Sequence, residues 1–414
     1  MKKNITGPVL VCQICGAKNL ATILSLGHQP IVQEYLTEKA LHESEVTYPL
    51  NLVRCATCGL LQIDYIPEPA KVFPPHYPYR TGLTNMLIRN FQELAEIISR
   101  DYHFKTGDLI VDIGSNDGTL LQCFKDKGMK VLGVEPTGAA KVANKNKIPT
   151  IEKFFDEESA DMILKKYGKA HVITSTNAFA HINDAKGLAK NVAKLMDKDS
   201  IFVSESQYLM DIIKKLEFDT IYHEHLRFYS LKPLIRLLKD AGLSVVDAER
   251  INAAGGSIRV YAKKGKFPSS KNVTDLIKEE EKAGLYNEKT LKNFAKRIYT
   301  AKNDLLALLL KCKKEGASIV GLTSSARSNT LLGFSKINET ILDYACEKKG
   351  SPKIGLYTPG THIPVVDETR LLEDQPDFAL VLSWHIGEEL IKKTKAAGYK
   401  GKFIIPLPIP RIVN

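Results

Sequence analysis

Val111-Asp-Ile-Gly-Ser-Asn-Asp-Gly-Thr119 is the stretch on which the fold turns. The apolar run Leu109-Ile-Val-Asp-Ile113 leads into Gly114-x-x-x-Gly118, and a helical pattern follows from Thr119 to Asp126. That order predicts a buried strand, a glycine turn at its carboxyl end and a helix, the arrangement in which backbone comes close to a ligand. Glu135-Pro136 ends the next strand candidate, Val131 to Glu135, where a carboxylate can grip two ribose hydroxyls. A dinucleotide site needs G-x-G-x-x-G to seat a pyrophosphate on the helix N-terminus. This loop lacks that spacing and carries Asp112 and Asp117, which repel a diphosphate. They suit a ligand bearing a cationic sulfonium and an amine. S-adenosylmethionine is therefore favoured over NAD, with Asp112, Gly114, Asn116, Asp117, Gly118, Glu135 and Pro136 as candidate contacts.

Strand and helix go on alternating outward from this point. His171-Val-Ile-Thr-Ser175 and Ser200-Ile-Phe-Val-Ser204 read as buried strands, and Asn252-Ala-Ala-Gly-Gly256 joins two more, Ser244 to Ala248 and Ser257 to Tyr261, as a hairpin. Leu83, Leu87, Phe91, Leu94 and Ile98 have the spacing of an amphipathic helix ahead of the sheet. The pattern predicts a doubly wound α/β fold, mostly parallel, with an antiparallel edge. Asn177-Ala-Phe-Ala-His181 follows the fourth strand of such a sheet and so faces the ligand crevice, which lifts Asn177 and His181 above the usual structural role of a lone Asn or His. Tyr222-His-Glu-His225, beyond the fifth strand, is the densest titratable cluster and offers proton donors and acceptors near neutral pH. It reads as a loop without the i, i+4 histidine pair of the zinc proteases, which argues against a second metal site.

Cys12-Gln-Ile-Cys15 and Cys55-Ala-Thr-Cys58 form two knuckles that together supply tetrahedral thiolate coordination, the geometry zinc favours. Four cysteines close the shell, so this metal is expected to fold a module and not to catalyse. Cys123, Cys312 and Cys346 sit in apolar patterns as core thiols, and the odd total of 7 argues against a disulfide framework. The 414 residues, 44% hydrophobic and 25% charged, imply a globular chain of two or three domains. Divisions are expected at 1–70 (zinc module), 71–268 (methyltransferase domain with its leading helix) and 269–414 (a second Rossmann-like α/β, substrate-binding domain). A Pro-rich hinge, Ile66 to Pro78, separates the first two. The third opens with a Lys/Glu-rich helical stretch over 270–315, followed by strand candidates at Ser318 to Gly321, Phe378 to Leu382 and Lys402 to Ile405. The net charge of +11 is spread over helix faces, with no aromatic-basic patch, so nucleic acid is not an expected partner. No apolar run reaches membrane-spanning length, and the basic start Met1-Lys-Lys3 is not followed by a signal peptide, giving a cytoplasmic expectation. Absence of coiled-coil heptads leaves monomer and homodimer equally open.

With these residues in view, the chain resembles the sugar C-methyltransferase family, which builds branched deoxysugars on nucleotide-linked keto sugars. The resemblance spans nearly the whole length. It rests on the paired knuckles, the 111–119 loop, Asn177 to His181, Phe218-Asp-Thr-Ile-Tyr-His-Glu-His225, Ser328 to Leu332, Tyr357 to Pro364 and Leu382-Ser-Trp-His385. It implies that a base removes a ring proton beside the ketone and that the enolate carbon takes the methyl group of S-adenosylmethionine. His225 matches the base; Tyr222, Glu224 and His181 match residues around the sugar, and Tyr77 or Tyr79 a tyrosine that closes over it. It further implies that the C-terminal domain holds a nucleoside diphosphate, with Arg327, Asn329 and His362 as candidate contacts. Two departures stand out: Ala254 replaces a family His, and Gly321-Leu-Thr-Ser-Ser-Ala-Arg-Ser-Asn329 replaces a glycine-richer loop with Lys. Other acceptors, a sugar hydroxyl or a small anionic metabolite, remain open, as does a zinc-ribbon protein that binds or modifies nucleic acid.

Overall fold

The computed structural model describes residues 6–83, 85–102 and 104–414; Met1-Lys-Lys3, read above as the basic start, lies outside them. The alternation centred on Leu109 resolves into a seven-stranded sheet: β1 (Leu109–Ile113), β2 (Lys130–Val134), β3 (Thr150–Ile151), β4 (Val172–Thr176), β5 (Ile201–Gln207), β6 (Leu243–Ile251) and β7 (Ser257–Lys264). Their spatial order is β6-β7-β5-β4-β1-β2-β3. Pairing is parallel from β5 through β3, and β7 lies antiparallel between β5 and β6. β1 and β4 are buried at every position because helices cover both faces, which explains their apolar runs without alternation. The order reverses between β1 and β4, so the crevice at their carboxyl ends is the expected ligand site.

One ionic triangle locks the leading helix Asn85–Asp101 to this sheet. Arg259 of β7 donates from Nε to Glu205 Oε1 of β5 (2.6 Å) and from Nη2 to Asn90 Oδ1 (2.9 Å), and Asn90 Nδ2 donates to Glu205 Oε2 (2.8 Å). Arg259 and Glu205 are fully buried, a placement tolerable only because each is paired and hydrogen-bonded.

The N-terminal sheet contains Leu20–Gln29, Tyr48–Cys55 and Leu61–Ile63. Its fourth strand is Arg227–Phe228, which comes from far along the chain and pairs with Gln62 and Leu61. The C-terminal sheet runs Val365–Asp367, Ala345–Glu347, Ile319–Leu322, Phe378–Val381, Lys402–Ile405, Arg411–Val413, parallel except for the last strand. Helices Lys271–Lys282 and Glu288–Lys314 precede it, as the 270–315 pattern predicts. Residues 32–45 of the N-terminal part lie along this last sheet: Asn329 Nδ2 donates to Val32 O (2.7 Å), Tyr35 Oη meets Ser324 Oγ (2.9 Å), Leu36 bridges to Tyr357, and Gly360 N donates to Glu45 (2.8 Å). Among the described residues no helix is long and apolar enough to cross a membrane.

Candidate active site

At the carboxyl ends of β1, β2 and β4 lies a cavity of about 1060 Å³. Two glycines shape the turn that leads past it. Gly114 has φ +75°, and a Cβ there would meet Ala178 Cβ at 2.4 Å. Gly118, φ +80°, begins the helix Thr119–Lys125, and a Cβ would meet Ile148 Cγ2 at 2.9 Å. Of the residues expected from sequence, Asp112, Gly114, Asn116, Glu135, Pro136, Asn177, His181, Tyr77 and Tyr79 line the cavity. Glu135 accepts from Asn116 N (3.0 Å) and from Thr137 N and Oγ1 (2.9 and 2.6 Å), which fixes the turn and presents its carboxylate at the wall.

Asp117 stands apart from the residues that line the cavity. It does not line the cavity: Oδ2 accepts from Gly82 N (2.9 Å) and Oδ1 from Thr119 Oγ1 (2.6 Å), so this acid ties the leading segment to the first residue of the helix. Gly118 likewise serves packing and the helix start, outside the cavity wall. The negative lining comes instead from residues that sequence reasoning missed: Asp156, Glu157, Glu158 and Asp184 join Asp112 and Glu135. Six carboxyl groups against Lys186 and Lys190 suit a cationic ligand and fit S-adenosylmethionine. Asp156 and Asp184 are N-caps of helices Glu157–Tyr167 and Ala185–Leu195, and that capping pattern was the available signal.

Asp112, buried and accepting from Thr174 Oγ1 (2.7 Å), is pushed up to about 7 by desolvation. A cation beside it favours the ionised form. Affinity for S-adenosylmethionine relative to the uncharged-sulfur product S-adenosylhomocysteine should therefore rise with pH through about 7 and then level off. Calorimetry between pH 6 and 8 tests this; a ratio that is pH-independent in wild type, or a rise that persists in Asp112→Asn, would oppose it.

Behind His181 and Tyr77 sits the 222–225 loop, wholly buried and not part of the cavity wall. Tyr77 Oη donates to Glu224 Oε2 (2.6 Å). The His181 and His225 rings lie 4.9 Å apart, and Tyr222 and His225 4.1 Å apart, between centroids. Of the two hinge tyrosines left open by sequence, Tyr77 reaches this loop; Tyr79 is 41% exposed. His225 Nδ1 lies 2.6 Å from Thr220 O, an acceptor only, so Nδ1 carries the proton and Nε2 keeps its lone pair. Burial pushes His225 down to about 4 and Glu224 up to about 7. At neutral pH the imidazole is thus uncharged. Glu224 Oε1 is buried without a hydrogen-bond partner.

Two clamps hold the loop. On one side Arg327 makes a bidentate pair with Asp219 (2.8 and 3.0 Å), and Trp384 Nε1 donates to the same carboxylate (2.9 Å). Arg327 is therefore first a brace of the loop; only Nη1 is buried and free of partners. On the other side Arg227 leads into the N-terminal sheet. Asn329 is tied to Val32 O through Nδ2, and His362, expected near the substrate, lies away from the cavity against Glu45 (3.3 Å).

The four knuckle sulfurs lie within 4.8 Å of one another, with Cys12–Cys58 and Cys15–Cys55 at 3.5 Å. Tetrahedral coordination at about 2.3 Å per bond needs sulfurs about 3.8 Å apart. The donor set fits zinc with no position left open.

Strand order, glycine turn and acid-lined cavity define a class I S-adenosylmethionine-dependent methyltransferase with a structural zinc module. Three family models match in sequence: a zinc binding domain over residues 12–73, a methyltransferase domain over 81–248 and a C-methyltransferase C-terminal domain over 252–408. C-methyltransferase NovU from Streptomyces niveus is 29% identical over 416 residues, which cover 100% of this chain and 99% of that one. The chain is an S-adenosylmethionine-dependent C-methyltransferase. Among solved structures, an S-adenosylmethionine-dependent methyltransferase from Clostridium acetobutylicum matches at TM-score 0.35 and 12% identity, over 43% of this chain and 92% of that one. Magnesium protoporphyrin IX methyltransferase from Synechocystis PCC 6803 matches at 0.34 and 13%, over 44% and 80%. The β6–β7 hairpin belongs to the seven-stranded sheet although the matched methyltransferase segment stops at 248.

Proposed function

We propose that the enzyme methylates a ring carbon of a nucleotide-linked keto-deoxysugar through a base-generated enolate. The observation that carries this reading is the neutral His225, its Nδ1–H spent on Thr220 O and its Nε2 lone pair left available next to His181, which itself lines the cavity. Gly114, Asn116, Glu135 and Asn177 would hold the cofactor, with Asp112 near its charge, and the cofactor would supply an electrophilic methyl group. His225 Nε2 would take the proton from the carbon beside the ketone, and that carbon, as an enolate, would accept the methyl group as its bond to the sulfonium sulfur breaks, leaving S-adenosylhomocysteine and a protonated His225. Tyr222 Oη and His181 hydrogen-bond the oxygen on which charge develops, the term that usually dominates such steps. Tyr77 and Glu224 orient the ring. A carboxyl raised to about 7 can hold a proton while the substrate is neutral and release it later.

The crevice of the C-terminal sheet supports a nucleoside diphosphate as the carrier. Its strand order reverses between Ile319–Leu322 and Phe378–Val381, and the loops leaving these strands meet where Thr323 Oγ1 bonds Ser383 Oγ (2.7 Å). Thr323 holds φ +76°, strained for a β-branched residue, the kind of outlier that clusters at ligand sites. Half-buried Lys353, which pairs with Glu347 (3.3 Å) and donates to Ser324 O (2.7 Å), and the free Nη1 of Arg327 supply positive charge there.

A panel of nucleotide keto-deoxysugars with ¹³C-methyl-labelled cofactor tests the reading. The expected product carries its label on carbon, seen by carbon NMR. An oxygen-bound methyl, or turnover only of acceptors lacking a ketone, would refute it.

A further inference from the structure

We propose that the first zinc knuckle positions His181 through Gln13 and Arg227. Gln13 lies between Cys12 and Cys15, and its backbone is held by Gln62 Oε1 (2.8 Å). Its side-chain Oε1 accepts from Arg227 Nη1, and its Nε2 donates to Leu226 O (3.4 Å). Arg227, 1% exposed, sends its other guanidinium donors to Tyr229 Oη (3.0 Å) and to the carbonyls of Phe179, Ala180 and Ile182. Those carbonyls flank His181 on both sides. Leu226 N also donates to Ala180 O (3.1 Å). The guanidinium therefore staples the loop that carries His181 to the strand that begins two residues after His225. The acceptor opposite that staple stands on the metal-folded turn.

A fully buried guanidinium holds one geometry only while its donors are satisfied. Without Gln13 Oε1, Nη1 must turn toward the Asn183 carbonyl, already near at 3.5 Å, and drag the loop with it. The zinc module is thereby a positioning element for the methyl-acceptor side of the site, over and above its own folding. This rests on the proposed role of the His181–His225 pair, but the test below needs no acceptor and fails independently of that role.

Long-range ¹H–¹⁵N NMR of the histidines in the full chain, zinc-loaded and saturated with S-adenosylhomocysteine, reads the effect. His181→Gln and His225→Gln assign the signals. Gln13→Met is expected to displace the His181 resonances, with zinc still at one per chain and S-adenosylhomocysteine affinity within about threefold. Gln13→Glu, which keeps the acceptor for Arg227 while giving up the donor to Leu226 O, should return the His181 signals toward the wild-type positions. His223 is the internal reference: it bonds Pro49 O (3.1 Å) in the same module but stands outside the relay. Should Gln13→Met not accumulate, Gln13→Asn reads the same displacement. Wild-type His181 signals in the zinc-loaded variant, or equal displacement of His223, would overturn the proposal.

Discussion

His225→Ala is expected to abolish methyl transfer while S-adenosylmethionine binding stays near normal. A positioned general base contributes about 10²–10⁴-fold, and removal of His225 Nε2 takes away a neutral imidazole nitrogen beside His181 that Thr220 O fixes as a lone-pair donor. The cofactor cavity is built by the ends of β1, β2 and β4 and by the segment ahead of β1, and the 222–225 loop forms none of its wall. Binding and chemistry therefore separate. Calorimetry with S-adenosylhomocysteine beside a labelled-methyl assay measures both, and joint loss of affinity and activity would contradict the assignment of His225 as base.

Cys55→Ser is expected to have the largest effect on the fold. Structural zinc in small modules contributes about 10–16 kcal/mol in apparent terms, comparable to the whole stability of a domain at about 5–15 kcal/mol. Cys55 is fully buried at the end of Tyr48–Cys55, the strand that pairs with both neighbours in the N-terminal sheet. Loss of its thiolate should release the metal and strip hydrogen-exchange protection from amides of 48–55 and 61–63. Protection in β1 and β4 should persist, since those strands draw their contacts from the seven-stranded core. Full protection at 48–55 after zinc loss would show that the module stands without its metal.

The central sheet was legible wherever burial on both faces left an apolar run, as at Leu109–Ile113 and Val172–Thr176. Thr150–Ile151, Arg227–Phe228 and Ala345–Glu347 were not, because two or three residues carry no period and their strand character comes from a partner. The ligand turn was legible because its glycines answer a steric demand that is local. Charge was less so: Asp112 and Asp117 look alike in sequence, yet one faces the cavity and the other ties Gly82 to Thr119. The braces of the 222–225 loop were hidden for another reason. Arg327 and Asp219 are 108 residues apart, and Arg227 and Gln13 are 214 apart, with no pattern in either segment to announce the pairing. Arg327 was singled out from sequence, but as a diphosphate contact and not as the partner of Asp219.

The ribbon of residues 32–45, stretched across the C-terminal sheet, bears on protein engineering. Val32, Tyr35, Leu36 and Glu45 each meet a residue between Ser324 and Gly360, so the beginning of the polypeptide completes the surface of its end. A chimera that exchanges only the carboxyl-terminal third between relatives would leave these seams mismatched. Grafts that carry the matching early ribbon as well should fold.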